Sequence, residues 1–303
     1  MTKNEIIFEV LQATGLNWNV TKQPTFFKGN AGLDIEVPEK FATVRSDNEA
    51  VLGTVGNQYT VLNNHEMVEM VYDAGSEVFN KDLEINHPWN NAETLGSVGN
   101  LAGGSLKAGK AVFVQLELPS TFIGNSGVNR FITITNHHDG NKALGFGTAN
   151  QVICCANTFA IANKELSKIR HTVSMAERVA EATKALRRIL SLESEQMNLF
   201  EAATKVQFNN THLEQVMGLL FGADKIKDPK ASTKLKNQVK DFAGDLETSI
   251  VEQNQETLWT VFNAVTRFTN HSRATKDKDY SLMFGTDASL NQKAYKWLEE
   301  TLA

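Results

Sequence analysis

A chain of 303 residues that is 41% hydrophobic and 21% charged has enough apolar material for one large or two ordinary globular cores, and no long polar tract that would leave it unfolded. Its net charge of −5 supplies no global basic field, so attraction to nucleic acid or anionic lipid would have to come from a local basic face. No stretch approaches the roughly 18 to 20 apolar residues that span a bilayer, so no membrane partner is expected.

The opening MTKNEIIFEVLQ is broken by Glu9 and lacks the form of a signal peptide. The two cysteines, Cys154 and Cys155, are adjacent and poorly placed to bridge each other, which favours a reducing, cytoplasmic setting.

In chain order, Thr2-Lys-Asn-Glu5 has the form of a helix-capping box, and Ile7, Val10 and Leu11 follow at helical spacing up to Gly15. Phe26, Phe27 and Lys28 read as a short strand. Residues 41 to 64 read as a strand pair about the turn Asp47-Asn48, with bulges or bends at Gly53 and Gly56. Asn64 then caps a helix with Met67, Met70, Val71 and Ala74 on one face, stopped by Gly75.

Val112, Val114, Leu116 and Leu118 alternate with Phe113, Gln115 and Glu117, the pattern of a half-buried strand. Residues 130 to 135 and 145 to 155 are expected to be strands too, with Val152 and Ile153 in the core.

From Lys164 the period becomes helical. Ser174–Glu177, Thr211–Glu214 and Ser289–Gln292 are further capping forms before apolar stripes. The stripe of the first helix is Val179, Ala180, Thr183, Leu186, Ile189 and Leu190, continued by Met197, Phe200 and Ala203. Helices are also expected over 233–252, 255–270 and 288–302, with an exposed charged loop over 223–232. The resulting fold class is α+β: a mixed, mainly antiparallel sheet in the N-terminal half (1–163) and a helical C-terminal half (164–303).

Three groups of residues have chemical capacity. In NHHDG (136–140), His137, His138 and Asp139 are candidate ligand or metal-binding residues. Successive strand residues point to opposite faces, however, and Asp139-Gly140 is an ordinary turn pair, so a plain turn is the stronger reading. In CCANT (154–158) a thiol would need an activating base such as His137, His138 or His171; buried free cysteine is commoner. The third group is basic: Lys164, Lys168, Arg170 and His171, then Arg178, Lys184, Arg187 and Arg188. It would track a phosphate backbone, with Phe131, Phe146 and Phe159 stacking bases if exposed. Glutamates 177, 181, 193 and 195 share that helix and favour a plain solvated face. Phosphate-loop, dinucleotide-fold, nucleophile-elbow and HExxH motifs are absent from the sequence.

The ordered set GTVGNQYTVLNNHE (53–66), GNLAGGSLKAGKAVFVQLEL (99–118), NHHDGNKALGFGTANQVICCANT (136–158) and IRHT (169–172) resembles the phage/plasmid-like domain of unknown function family 932. LWTVFNAVTRFTNHSR (258–273) looks like the tail of the same family, so the resemblance covers roughly residues 40 to 300. One departure is Ile153-Cys154-Cys155, where the family pattern has a single Val-Cys before Ala-Asn-Thr. The resemblance implies a phage, prophage or plasmid origin and brings no established activity.

Association of such proteins with replication and recombination genes implies handling of single-stranded DNA. The leading expectation is therefore a non-catalytic, homo-oligomeric protein that binds or anneals single strands in the host cytoplasm, with no cofactor. Arg130, Lys142, Lys168, Arg170, His171, Lys184, Arg187 and Arg188 would carry the binding. The alternatives are a protein that docks on a host defence factor, or a metal-dependent hydrolase built on His137, His138 and Asp139.

Overall fold

The structure, a computed structural model, describes residues 2–79, 97–98, 101–153, 157–162 and 175–303. Helix α1, Lys3–Ala13, opens with the expected capping box: the Thr2 hydroxyl accepts from the Glu5 amide and the Glu5 carboxylate accepts from the Thr2 amide. It ends as Gly15 turns left-handed at φ 65°.

Strands β1 (Val20–Lys28), β2 (Asp34–Arg45) and β3 (Val51–Gly56) form an antiparallel sheet in that order. Strand β3 pairs only with residues 40 to 44 of β2. The far part, where Phe26, Phe27 and Lys28 face Glu36, Ile35 and Asp34, is thus a two-stranded arm.

Helix α2, Asn64–Phe79, buries Met67, Met70, Val71 and Ala74 against α1, which contributes Ile7, Val10 and Leu11. Each such side chain is worth about 1.5–3 kcal/mol when fully buried. Lys3 ties the two helices by ion pairs to Glu69 and Asp73. The helix continues through Gly75, where a stop was expected: Gly75 lies on its buried face, so its small size serves packing.

The second sheet runs in sequence order: β4 (Ser97–Val98), β5 (Leu101–Leu106), β6 (Ala111–Ile123), β7 (Ser126–His137), β8 (Gly145–Val152) and β9 (Asn157–Ala162). The alternation read in β6 holds from Val112 to Leu116, with Val112, Val114, Leu116 and Leu118 buried and Phe113 and Gln115 half-buried, but it breaks at Glu117, which is buried instead of open to solvent. Ile153 does not join Val152 in the core. It is 56% exposed, because β8 ends at Val152 and adjacent side chains point opposite ways.

The helical half comprises α3 (Met175–Ala203), α4 (Asn210–Phe221), α5 (Ala223–Lys227), α6 (Thr233–Gln253), α7 (Leu258–Arg267), α8 (Lys278–Phe284) and α9 (Thr286–Leu302). A π-helical turn, Phe268–Ser272, follows α7. Two expected caps lie elsewhere. Helix α4 is capped by Asn209, with the His212 ring filling the role assigned to Glu214. Helix α9 begins at Thr286, so Ser289 lies inside it. Ala180 faces outward, whereas Thr183, Leu186, Ile189, Phe200 and Ala203 are buried as expected. Ser174 lies outside the described residues.

Thus the fold is α+β, with two antiparallel sheets followed by helices. The described residues group into two compact units. One draws on Met1–Leu118, Phe131–Gly147 and Asn163–Ile189, the other on Pro119–Arg130, Thr148–Ala162 and Leu190–Ala303. The second has an aromatic core in which Phe200 meets Trp259 at 5.0 Å between centroids and Trp259 stacks on Phe262 at 5.9 Å. Among the described residues no helix is long and apolar enough to cross a membrane.

Candidate functional site

The NHHDG segment closes β7 and enters a tight turn, with the Gly140 amide donating to the His137 carbonyl at 3.3 Å. Gly140 adopts φ 73°, a conformation that favours glycine. Asp139 holds the turn locally, accepting from the Asn141 amide at 3.0 Å and the Asn141 side-chain amide at 2.7 Å.

The residues before it point inward. Asn136, His137 and His138 are 0%, 2% and 0% exposed. The Asn136 side-chain amide donates to the Leu62 carbonyl at 3.0 Å, and the His137 carbonyl accepts from the Tyr59 hydroxyl at 3.2 Å. Burial, then the charge of Asp139, pushes the Tyr59 pKa up against the opposing charge of Arg178, so the phenol keeps its proton and donates it.

His138 is fixed by a longer chain of contacts. Its backbone amide donates to the Lys110 carbonyl at 2.9 Å, and its Nε2 lies 2.9 Å from Asn64 Oδ1. The Asn64 amide nitrogen donates to the carbonyls of Leu16 and Trp18, both at 3.1 Å. Asn64 Oδ1 is therefore the acceptor, and His138 carries its hydrogen on Nε2. This corrects the expected helix-capping role of Asn64: its side chain leaves α2 and ties down the segment after α1.

The His138 ring also stands edge-on to Trp18 at 5.4 Å, and the other face of the cluster is closed by Arg45, 4.1 Å over the Trp18 ring. Arg45 is itself clamped, bidentate to Asp47 at 2.9 and 2.6 Å and donating to the Ala108 carbonyl at 3.1 Å.

Close backbone approach explains the glycines. A Cβ on Gly53 would fall 2.6 Å from the Asp139 Cα, and one on Gly140 would fall 2.8 Å from Val55 Cγ1. The GTVG segment of β3 thus packs directly on the HHDG turn. Trp18, Arg45, Tyr59 and Asn64 are the partners that sequence reasoning missed. The clues were the glycine pair on either side of Val55 and an asparagine at a helix start beside a second asparagine.

Chemically, this arrangement braces. His137 Nδ1 is 3.9 Å from Asp139 Oδ1, while His138 Nε2 is committed to Asn64. Among the described residues, no group of three or more His, Cys, Asp or Glu side chains is placed to hold a metal ion. Cys154, Cys155, Lys164, Lys168, Arg170 and His171 lie outside the described residues, as does the side chain of Phe159.

The basic residues are dispersed in role. Arg130 donates to the Pro119 carbonyl at 2.9 Å and lies 3.3 Å from Glu193, whose carboxyl burial pushes up in pKa while the Arg130 charge opposes the shift. Lys142 is exposed, and partial desolvation lowers its pKa with the Lys107 charge adding to the effect. Arg178 is 3% exposed and belongs to the interior.

On α3, Lys184, Arg187 and Arg188 are exposed, and Arg187 pairs with Glu77 at 3.2 Å. Glu177, Glu181 and Glu195 share the same exposed stripe. Phe131 and Phe146, expected to stack bases if exposed, are each 6% exposed and closed to that role.

Comparison with curated proteins finds no match, and comparison with solved structures finds none. The family model described as "Domain of unknown function (DUF932)" matches residues 93–294, which takes in β4 to β9, the NHHDG turn, all of α3 to α8 and most of α9. The GTVG and NNHE segments precede the matched region, although Gly53 and Asn64 pack on a turn within it. Over two thirds of its length, this chain is a member of the DUF932 family.

Proposed function

We propose that this protein binds single-stranded nucleic acid without catalysing a reaction on it, in a replication or recombination role of phage or plasmid type. The observation that carries the reading is the exposed pair Lys184 and Arg188, one helical turn apart on α3 with Arg187 beside them. The resemblance to phage and plasmid proteins supplies its biological context. Inward use of the NHHDG histidines supports binding over catalysis, since His138 is spent on holding Asn64 and Trp18.

Two or three phosphate contacts are what this face supports, because glutamates flank it. That predicts weak, salt-sensitive binding, with log K falling against log salt at a slope of about −1.4 to −2 for a single strand. Fluorescence anisotropy of a labelled (dT)30 strand, titrated at 20 and 200 mM salt, tests it. K184E/R188E is expected to abolish binding while leaving the fold intact, since both side chains are exposed. Absence of binding by the folded wild type at low salt, or undiminished binding by K184E/R188E, would overturn the reading.

A further inference from the structure

A dense local charge lies away from α3. Residues 225–240, KIKDPKASTKLKNQVK, hold six lysines and a single acid, Asp228, so this stretch carries +5 in a chain whose net charge is −5. Lys225 and Lys227 belong to α5, Lys230 to the connector, and Lys234, Lys236 and Lys240 to the first half of α6. All six are exposed, and among the described residues none has an ion-pair partner. Asp228 is engaged in the connector itself: its carboxylate accepts from the Lys230 amide at 2.8 Å and its carbonyl from the Ala231 amide at 3.0 Å.

This crowding works against the local structure. Lys236 and Lys240 lie one helical turn apart, where like charges repel. Lys234 and Lys236 fall among the first four residues of a 21-residue helix with no acid in its first turn, so they add to the positive end of its dipole. An anionic partner relieves both effects.

Beside these lysines runs an open groove of about 540 Å³, a size that suits a ligand cleft. Leu213 and Met217 of α4 and Ala223 and Ile226 of α5 give it an apolar lining, and Lys227 and Glu214 are its charged members. The lining contains no aromatic side chain, and within residues 207–250 no large hydrophobic side chain is exposed.

We infer that α4, α5 and the start of α6 form a docking surface for an acidic segment of a partner protein, which lays an apolar side chain in the groove and its carboxylates against the lysines. Charge and shape together select that occupant. Carboxylates complement Lys225, Lys227 and Lys230, and an aliphatic side chain complements Leu213, Met217 and Ile226. Glu214, the one acid in the lining, directs the partner's carboxylates to the Lys227 side.

Other anions fit less well. A single strand gains by stacking its bases on aromatic side chains, and an anionic bilayer holds a protein that also inserts an apolar anchor. This surface offers neither. It belongs to a different compact unit from Lys184 and Arg188 and does not rest on the strand-binding reading.

Fluorescence anisotropy on the full chain tests the assignment, with a labelled 16-residue peptide that carries eight glutamates and two leucines four positions apart. Wild type is expected to bind it with a Kd below 200 µM at 50 mM salt. Binding is expected to weaken at least fivefold for K227E/K230E, and equally when serine replaces both leucines of the peptide. K40E/K110E makes the same change of charge at exposed residues of the other unit and is expected to bind like wild type.

No binding by wild type, equal binding by K227E/K230E, or equal binding of the leucine and serine peptides overturns the proposal. Two further arms exclude other polyanions. A (dT)30 strand retained by K184E/R188E but released by K227E/K230E would assign the lysines to nucleic acid. Co-sedimentation with phosphatidylserine vesicles that K227E/K230E abolishes would assign them to a membrane. Either result overturns it.

NMR of protein labelled at its methionine methyls is a second measurement that needs no variant. The Met217 methyl, in the groove, is expected to shift with the leucine peptide and to stay in place with the serine peptide. A Met217 signal that the leucine peptide leaves unmoved contradicts the assignment.

Discussion

Two regions of the N-terminal unit invert the usual placement of side chains. At the His137–Gly140 turn, polar groups are buried and use one another: Asn136 holds Leu62, His138 holds Asn64, and Asn64 holds Leu16 and Trp18. On the β1–β2 arm, Phe27 and Ile35 stand in solvent. The residues with the greatest chemical capacity are thus committed to the interior, and residues with none stand in solvent. Burial and hydrogen-bond commitment, more than residue type, decide which groups can meet a ligand.

The contrast implies a steep gradient of mutational effects. The largest belongs to Asn64→Leu, which strips the Leu16 and Trp18 carbonyls of their donor and leaves His138 Nε2–H without its acceptor. A loss of about 3–5 kcal/mol in urea unfolding is expected. Gly53→Ala comes next: its methyl would overlap the Asp139 backbone, which cannot rotate away as a side chain would, so about 1–3 kcal/mol is lost.

Glu117 sharpens the comparison through pH. Burial pushes its carboxyl up to about 8, well above its value in an unfolded chain. The folded state therefore holds a proton that the unfolded chain has released. That stability is complete below about pH 4.5 and is lost as pH rises through 8. Glu117→Gln, neutral at every pH, is expected to match wild type at pH 4.5 and to exceed it at pH 8.5 by on the order of 2 kcal/mol. Equal unfolding midpoints at both pH values would rule this out.

The smallest stability effect is expected on the arm. Phe27→Ser should shift unfolding by no more than about 0.5 kcal/mol when measured at a concentration where the chain is monomeric. A loss comparable to that of Asn64→Leu would mean that the arm is part of the core, and the comparison would fail.

Features set by neighbours in sequence were legible. The Thr2–Glu5 cap and the apolar side of the β6 alternation depend on spacing alone and formed as read, whereas the burial of Glu117 on the other side did not show in the spacing. Two other caps were displaced because a histidine at position 212 and a glycine at 285 served in place of the expected Glu214 and Ser289. The arm shows a different gap. Phe26, Phe27 and Lys28 read correctly as strand, but their exposure depends on where β3 stops pairing, a fact of tertiary register.

At the candidate site, the turn at Asp139-Gly140 was readable from its residue types. The hold of His138 on Asn64 was not, because 74 residues separate the partners and an asparagine at a helix start ordinarily caps it.

The claim that the NHHDG segment is an internal brace is tested most directly by a double-mutant cycle between Asn64 and His138 in urea unfolding. Asn64→Leu, His138→Phe and the double variant isolate the pair, since Phe preserves the ring against Trp18. Coupling of at least about 1 kcal/mol, with the double variant less destabilised than the sum of the singles, is the expected result. Additive effects would contradict the account and return His138 to the list of groups available for a ligand.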